Sequence, residues 1–213
     1  MTSRSKWALV PSFFAIAIAA TILSAYSGAS SSQGVSPVQP IQFPHPVHVK
    51  TLGMNCLYCH NGANKSPDPG LPAVGTCMGC HTLVGPNRPA MNGQPARTSA
   101  EIKKLQEFAP IGQPDKWKAI PWVRIHKLPE YVRFPHMRHV NAGVTCQSCH
   151  GPVQEMAQVY QAASLNMGWC LTCHVNGYQL ADGLKAAGDT TGAAAAASAA
   201  PKKARYDCAI CHY

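Results

Sequence analysis

A mainly irregular chain with a few short helices and little or no β-sheet is what this sequence predicts. Two observations carry that fold class. The 213 residues include 17 glycines and 18 prolines, a load that disfavours long helices and broad sheets. All ten cysteines fall in five C-x-x-C-H segments, so the chain is organised by short local motifs. Outside these, little reads as an ordinary aliphatic core. Residues 7–26 differ, with no charged side chain over twenty positions, and predict one N-terminal transmembrane helix.

The five segments are Cys56–His60, Cys77–His81, Cys146–His150, Cys170–His174 and Cys208–His212. C-x-x-C-H is the attachment sequence of a c-type haem. Two intervening residues set the thiols about one helical turn apart, which suits the two vinyl groups. The attachment thiols are Cys56, Cys59, Cys77, Cys80, Cys146, Cys149, Cys170, Cys173, Cys208 and Cys211. The histidine after each pair, His60, His81, His150, His174 or His212, is placed to bind the iron from the proximal side. Five C-x-x-C disulfides or zinc sites are the competing readings. A disulfide framework would show varied spacings, and a zinc ribbon needs no histidine after every pair. The expected cofactor is therefore five haem c, and the fold class becomes a multihaem cytochrome c whose short helices wrap the porphyrins. Folding then depends on the cofactor, as small metal domains depend on metal.

Ten histidines are present, and five lie outside the motifs: His45, His48, His126, His136 and His139. Five irons require five second axial ligands, so these are the distal candidates. FPHPVHV at 43–49 and FPHMRHV at 134–140 repeat one pattern, each ahead of two attachment motifs. Histidines three apart on a helical turn share a face. His126, in VRIHKLPE, has no such partner. If it is not a ligand, Met167, Met156 or Met91 is the substitute, and Met/His ligation raises haem potential. A lone methionine is more often packing, so His126 ranks ahead of them.

Taken in order, residues 1–28 are a transmembrane anchor or a cleaved signal peptide, which share a basic start and an apolar run. As an anchor, Arg4 and Lys6 keep the N-terminus cytoplasmic. The haem domain then faces the periplasmic side of a bacterial cytoplasmic membrane. Residues 29–40 read as a flexible tether and 41–85 as dihaem module one. Residues 86–131 are an insert with a short helix at 99–108, opened by a Thr98/Glu101 capping box and stopped by Pro110. Its Trp117 and Trp122 pad haems or meet a partner subunit. Residues 132–178 are dihaem module two, with a helix expected from Gly151-Pro152 to Gly168. Residues 179–205 form an Ala-rich linker, partly helical through its alanines, and 206–213 carry the fifth motif.

The formal charge of +9 invites a nucleic-acid or anionic-lipid reading. Ten haem propionates would offset most of it, and no basic stretch is interleaved with aromatics. No nucleic-acid partner is expected.

The FxHxxHV–CxxCH arrangement is similar to the multihaem cytochrome c3/c7 group. That resemblance implies His45 for the Cys56 haem and His136 for the Cys146 haem, with His48 and His139 reaching other haems. CLYCHNGANKSPDPGLPAVGTCMGCH, WVRIHKLPEYVRFPHMRHVNAGVTCQSCHGPV and NMGWCLTCH resemble the membrane-anchored pentahaem subunit of alternative complex III, across most of residues 41–178. The resemblance implies a relay subunit, without catalytic residues of its own, in a quinol-oxidising complex of a respiratory or photosynthetic chain. The implied partners are an iron–sulfur subunit, membrane quinol-binding subunits, a monohaem cytochrome and a redox acceptor. A stand-alone anchored quinol dehydrogenase is the first alternative, but no acidic residue near the first motif is available to take the proton. A haem reductase of oxyanions is the second. It requires a five-coordinate iron, which the ligand count disfavours.

Overall fold

The computed structural model describes residues 13–22 and 32–212. Most of the chain is irregular, as its glycine and proline content requires, and the ordered pieces are short. Helices α1 (Cys56–Cys59), α2 (Val74–His81), α3 (Ala100–Phe108), α4 (His136–Asn141), α5 (Cys146–His150), α6 (Met167–Asn176), α7 (Leu180–Ala186), α8 (Thr190–Ala195) and α9 (Cys208–Cys211) follow in order. One antiparallel ladder pairs β1 (Asn87–Arg88) with β2 (Arg97–Thr98). Each of the five motifs lies on a helix: α1, α2, α5, α6 and α9.

Residues 13–22 are helical and expose Phe13, Phe14, Ile16, Ile18 and Ile22. Among the described residues no helix is long and apolar enough to cross a membrane. The expected span at 1–28 lies largely outside the described residues.

The aliphatic core is small and sits under the second motif. Ile41, Met78, Leu105, Ala109 and Ile120 are buried together, flanked by Val74, Phe108, Trp117 and Trp122. Met78, 1% exposed, anchors helix α2 in this core; Cys77 packs against the same core, and Cys80 is exposed. Burying such a side chain contributes roughly 2 kcal/mol. Trp117 belongs to this core, and its indole N–H donates to Pro110 O at 3.1 Å.

Helix α3 starts one residue later than a Thr98 cap would have it. Thr98 is held in the ladder, its hydroxyl 3.1 Å from Asn87 Oδ1. Ser99 takes over as the cap, accepting from the Ile102 amide. Glu101 is then free to accept from the Gln42 amide at 2.7 Å and to pair with Lys104.

The expected helix from 151 to 168 does not form. A 3-10 turn at Val153–Glu155 is all that follows Pro152. The cause is a competing backbone partner. Gly34 N donates to Gln161 O and Gln161 N donates to Val35 O, while Ser36 Oγ donates to Val159 O. Residues 33–36 thus hold 159–161 extended. The same contacts, with Gln39 bonded twice to Val123, pin a stretch whose composition reads as a free tether. The real helix, α6, begins at Met167, capped by Asn166, whose side chain accepts from Trp169 N at 2.8 Å.

The C-terminal segment returns to module two. Tyr178 and Lys202 exchange two backbone hydrogen bonds. Arg133 N donates to Cys211 O, and Val132 bridges His212, so the fifth motif sits against residues 132–133.

Candidate haem-binding sites

Each pair of thiols stands on one helical turn. In α1 the turn is set by Asn55, whose side chain accepts from Leu57 N. In α5 it is set from outside. Tyr178 Oη accepts from Thr145 N at 3.2 Å and lies 3.1 Å from Ser148 Oγ. Helix α5 ends at Gly151, φ 70°, in the left-handed region that glycine enters at little cost. No two of the ten cysteine sulfurs are bonded to each other.

The two FPHxxHV segments adopt the same side-chain geometry. Phe43 stands edge-on to His45 (4.8 Å, 83°) and stacks on His48 (4.3 Å, 26°). Phe134 does the same with His136 (4.7 Å, 86°) and His139 (4.4 Å, 28°). The Nδ1 atoms of His48 and His139 lie 3.1 and 3.2 Å from the carbonyls of Pro44 and Pro135. An imidazole held by Nδ1–H on a carbonyl presents Nε2 as its free lone pair, the usual preparation of a metal-binding histidine. His81 Nδ1 is held likewise by Val84 O, and His174 Nδ1 by Arg205 O. The role of the two phenylalanines went unassigned from sequence, although their repetition ahead of each histidine pair was the available signal.

Across the molecule, histidines of these segments face histidines of the attachment motifs. His48 and His81 have ring centres 6.3 Å apart, His136 and His150 6.4 Å, and His139 and His174 6.0 Å. A metal–imidazole bond is ~2 Å long and the ring centre lies ~1 Å behind the nitrogen, so two imidazoles on opposite faces of one iron are separated by about 6 Å. The three pairs fit that separation. His45 is near enough to His60 to feel its charge. Among the described residues no three His, Cys, Asp or Glu side chains converge as a chelating cluster. The donors stand as opposed pairs, which suits haem iron and not tetrahedral zinc.

Burial keeps these imidazoles neutral, the form that binds iron. It lowers His45 to about 4, with His60 and His48 adding to the effect. His150 is lowered to about 3 by burial first, then by His126, His136 and His60. His60, His126, His136 and His139 are lowered for the same leading reason. His45 Nδ1 is buried without a hydrogen-bond partner.

His126 stands elsewhere. Its Nε2 is 3.2 Å from Nδ1 of His150, with rings 4.2 Å apart and nearly perpendicular. It lies behind a motif histidine and not opposite one. His212 has the Tyr131 ring 5.8 Å away. Of the methionines, Met156 is 5% exposed in packing near Gly151, whereas Met167 and Met91 are 66% and 52% exposed.

The family model for cytochrome c3 matches residues 138–213, which hold the last three motifs. That stretch is a cytochrome c3-like multihaem domain. With two further C-x-x-C-H motifs upstream, the chain is a multihaem cytochrome c. It is also similar to the protein named menaquinone reductase, multiheme cytochrome c subunit, of Nitratidesulfovibrio vulgaris (strain Hildenborough). The two are 28% identical over 158 residues, 65% of this chain and 68% of that relative.

Proposed function

We propose that this multihaem cytochrome carries five haems and relays electrons within a membrane quinone-linked complex. The observation that carries the reading is the set of opposed histidine pairs at 6.0–6.4 Å. His81, His150 and His174 hold three irons from one side, and His48, His136 and His139 hold them from the other. His45 and His60 hold a fourth, and His212 holds the fifth from its motif side.

A haem bound by two imidazoles gains and loses one electron, its potential set by ligands, burial and nearby charge. The chain's own contribution is to orient. Carbonyls fix the Nδ1 atoms, Phe43 and Phe134 lock neighbouring imidazoles against each other, and burial keeps protons off the nitrogens. At the four bis-histidine sites both faces of the iron are closed, so no small substrate reaches it there and these sites conduct electrons. The name of the N. vulgaris relative supports a quinone-linked complex with other subunits. The motifs resemble the pentahaem subunit of alternative complex III, whose place is between an iron–sulfur subunit and a monohaem cytochrome or other acceptor. A periplasmic haem domain on an N-terminal membrane anchor completes the proposal.

The test is an electron paramagnetic resonance spectrum of the oxidised protein, with haem quantified per chain and carbon monoxide added after reduction. Five haems, low-spin signals for the four bis-histidine sites and co-purification with membrane subunits are expected. Fewer than five haems, or carbon monoxide binding at several of them, would overturn the reading.

A further inference from the structure

We infer that the five attachment motifs follow one another in space in the order second, first, third, fourth, fifth, so that the haems form one unbranched row ending at the second and fifth motifs. The inference deepens the relay reading and rests on it. Chain order does not supply it, because it requires the first motif, and not the second, to be the joint between the modules.

Four junctions make up the row. Within module one, Phe43 touches both His45, beside His60, and His48, opposite His81. One phenyl ring therefore ties the first site to the second. Within module two, Phe134 ties His136, opposite His150, to His139, opposite His174. That joins the third site to the fourth, and Cys149 feels both Cys170 and Cys173.

The junction between modules lies at the first and third motifs. The Cys56 and Cys146 thiols are near neighbours. The loop leaving His60 docks on α4: Met137 N donates to Ser66 O, His136 N to Pro67 O, and Asn141 Nδ2 to Asn64 O. His136 Nδ1 also meets Pro67 O at 3.4 Å. The segment after one motif histidine thus carries the residue that faces the next. At the far end, His174 Nδ1 is held by Arg205 O, just ahead of the fifth motif, and Cys211 acts on Cys170. The two modules are joined head to head, and the fifth site extends the second module.

The arrangement separates the two ends of the row. The second motif is rooted in the aliphatic core through Met78, with Cys80, Leu83 and Val84 exposed beside it. At the fifth motif Cys208 and Tyr206 are exposed. Electrons entering at one of these ends pass every site before leaving at the other.

The test is the set of iron positions in crystals of the holoprotein, located by anomalous scattering at the iron edge and assigned by the motif each haem is bonded to. The expected nearest neighbours are second–first, first–third, third–fourth and fourth–fifth. An iron on His150 nearer to that on His81 than to that on His60, or an iron on His212 nearest to one in module one, overturns the order. Fewer than five irons overturns the relay reading instead. In solution, Cys56→Ser with Cys59→Ser removes the first-motif site, which lies between the second and third in the row. Pulsed reduction should then show loss of electron exchange between the second haem and the other three. Undiminished exchange in a variant of native circular dichroism would also overturn the order.

Discussion

Replacing His136 with alanine tests the site at its best-resolved pair. His136 and His150 hold their rings 6.4 Å apart and nearly parallel, at 20°. The side chain makes one long hydrogen bond, Nδ1 to Pro67 O at 3.4 Å, and an edge-on contact with Phe134, so its loss costs about 1–2 kcal/mol. The backbone bonds that dock α4 on the 64–67 loop, from the His136 and Met137 amides, and the Asn141 side-chain bond all survive the substitution. The fold and all five thioether attachments therefore persist. What changes is one iron, now held by His150 alone. Electron paramagnetic resonance should show one more high-spin haem than the unmutated protein, and the reduced protein should bind one more carbon monoxide per chain. His139→Ala should do the same at the haem of the fourth motif. Low-spin signals in His136→Ala unchanged from those of the unmutated protein would refute the reasoning, since no separation near 6 Å could then be taken as a ligand pair.

His126→Ala should give a different result. With Nε2 of His126 3.2 Å from Nδ1 of His150, its removal takes an acceptor from a ligand and leaves that ligand in place. The haem of the third motif should stay low-spin, and its potential should rise because the bound imidazole becomes less basic; a new high-spin haem would show that His126 is a ligand after all. Acid should weaken the native protein. The unfolded chain takes up a proton at His45 near pH 6.5, the folded chain only at about 4. Stability is thus fully present above pH 6.5 and falls as the pH drops towards 4, by up to about 3 kcal/mol from this residue. Urea midpoints at pH 7, 5.5 and 4 should decrease in that order. Gly183→Ala should destabilise by roughly 1–3 kcal/mol, because a Cβ there would lie on the Tyr178 hydroxyl that holds Thr145 and Ser148 at the third motif; an unchanged melting temperature would count against that packing.

The chemistry was legible because it is local. Cysteine pairs two apart followed by histidine, and histidines three apart on a turn, announce themselves within seven residues. The capping side chains were less so. Ser99 replaces Thr98 because a two-residue ladder with Asn87 claims the threonine. The missing helix after Pro152 failed for a similar reason. Its periodicity was real, but residues 33–36 offered the 159–161 backbone a partner more than a hundred residues away.

For His126 the structure adds a contact that counting ligands does not give, Nε2 at 3.2 Å from Nδ1 of His150. Five spare histidines for five irons is a matching of totals, and totals do not say which way a ring points. Pairing His126 with His150 depends on where the 121–131 strap crosses module two, which no local pattern encodes. The same holds for the meeting of Cys56 with Cys146 and of Arg133 with Cys211. By itself the sequence determined the kind of site, the number of its attachment motifs and the residues able to serve, since the motif and helical spacing are short-range properties of the chain. Which imidazole faces which, and in what order the sites touch, was decided by the tertiary structure alone, because those contacts arise when distant loops compete for the same backbone groups and the same few buried surfaces.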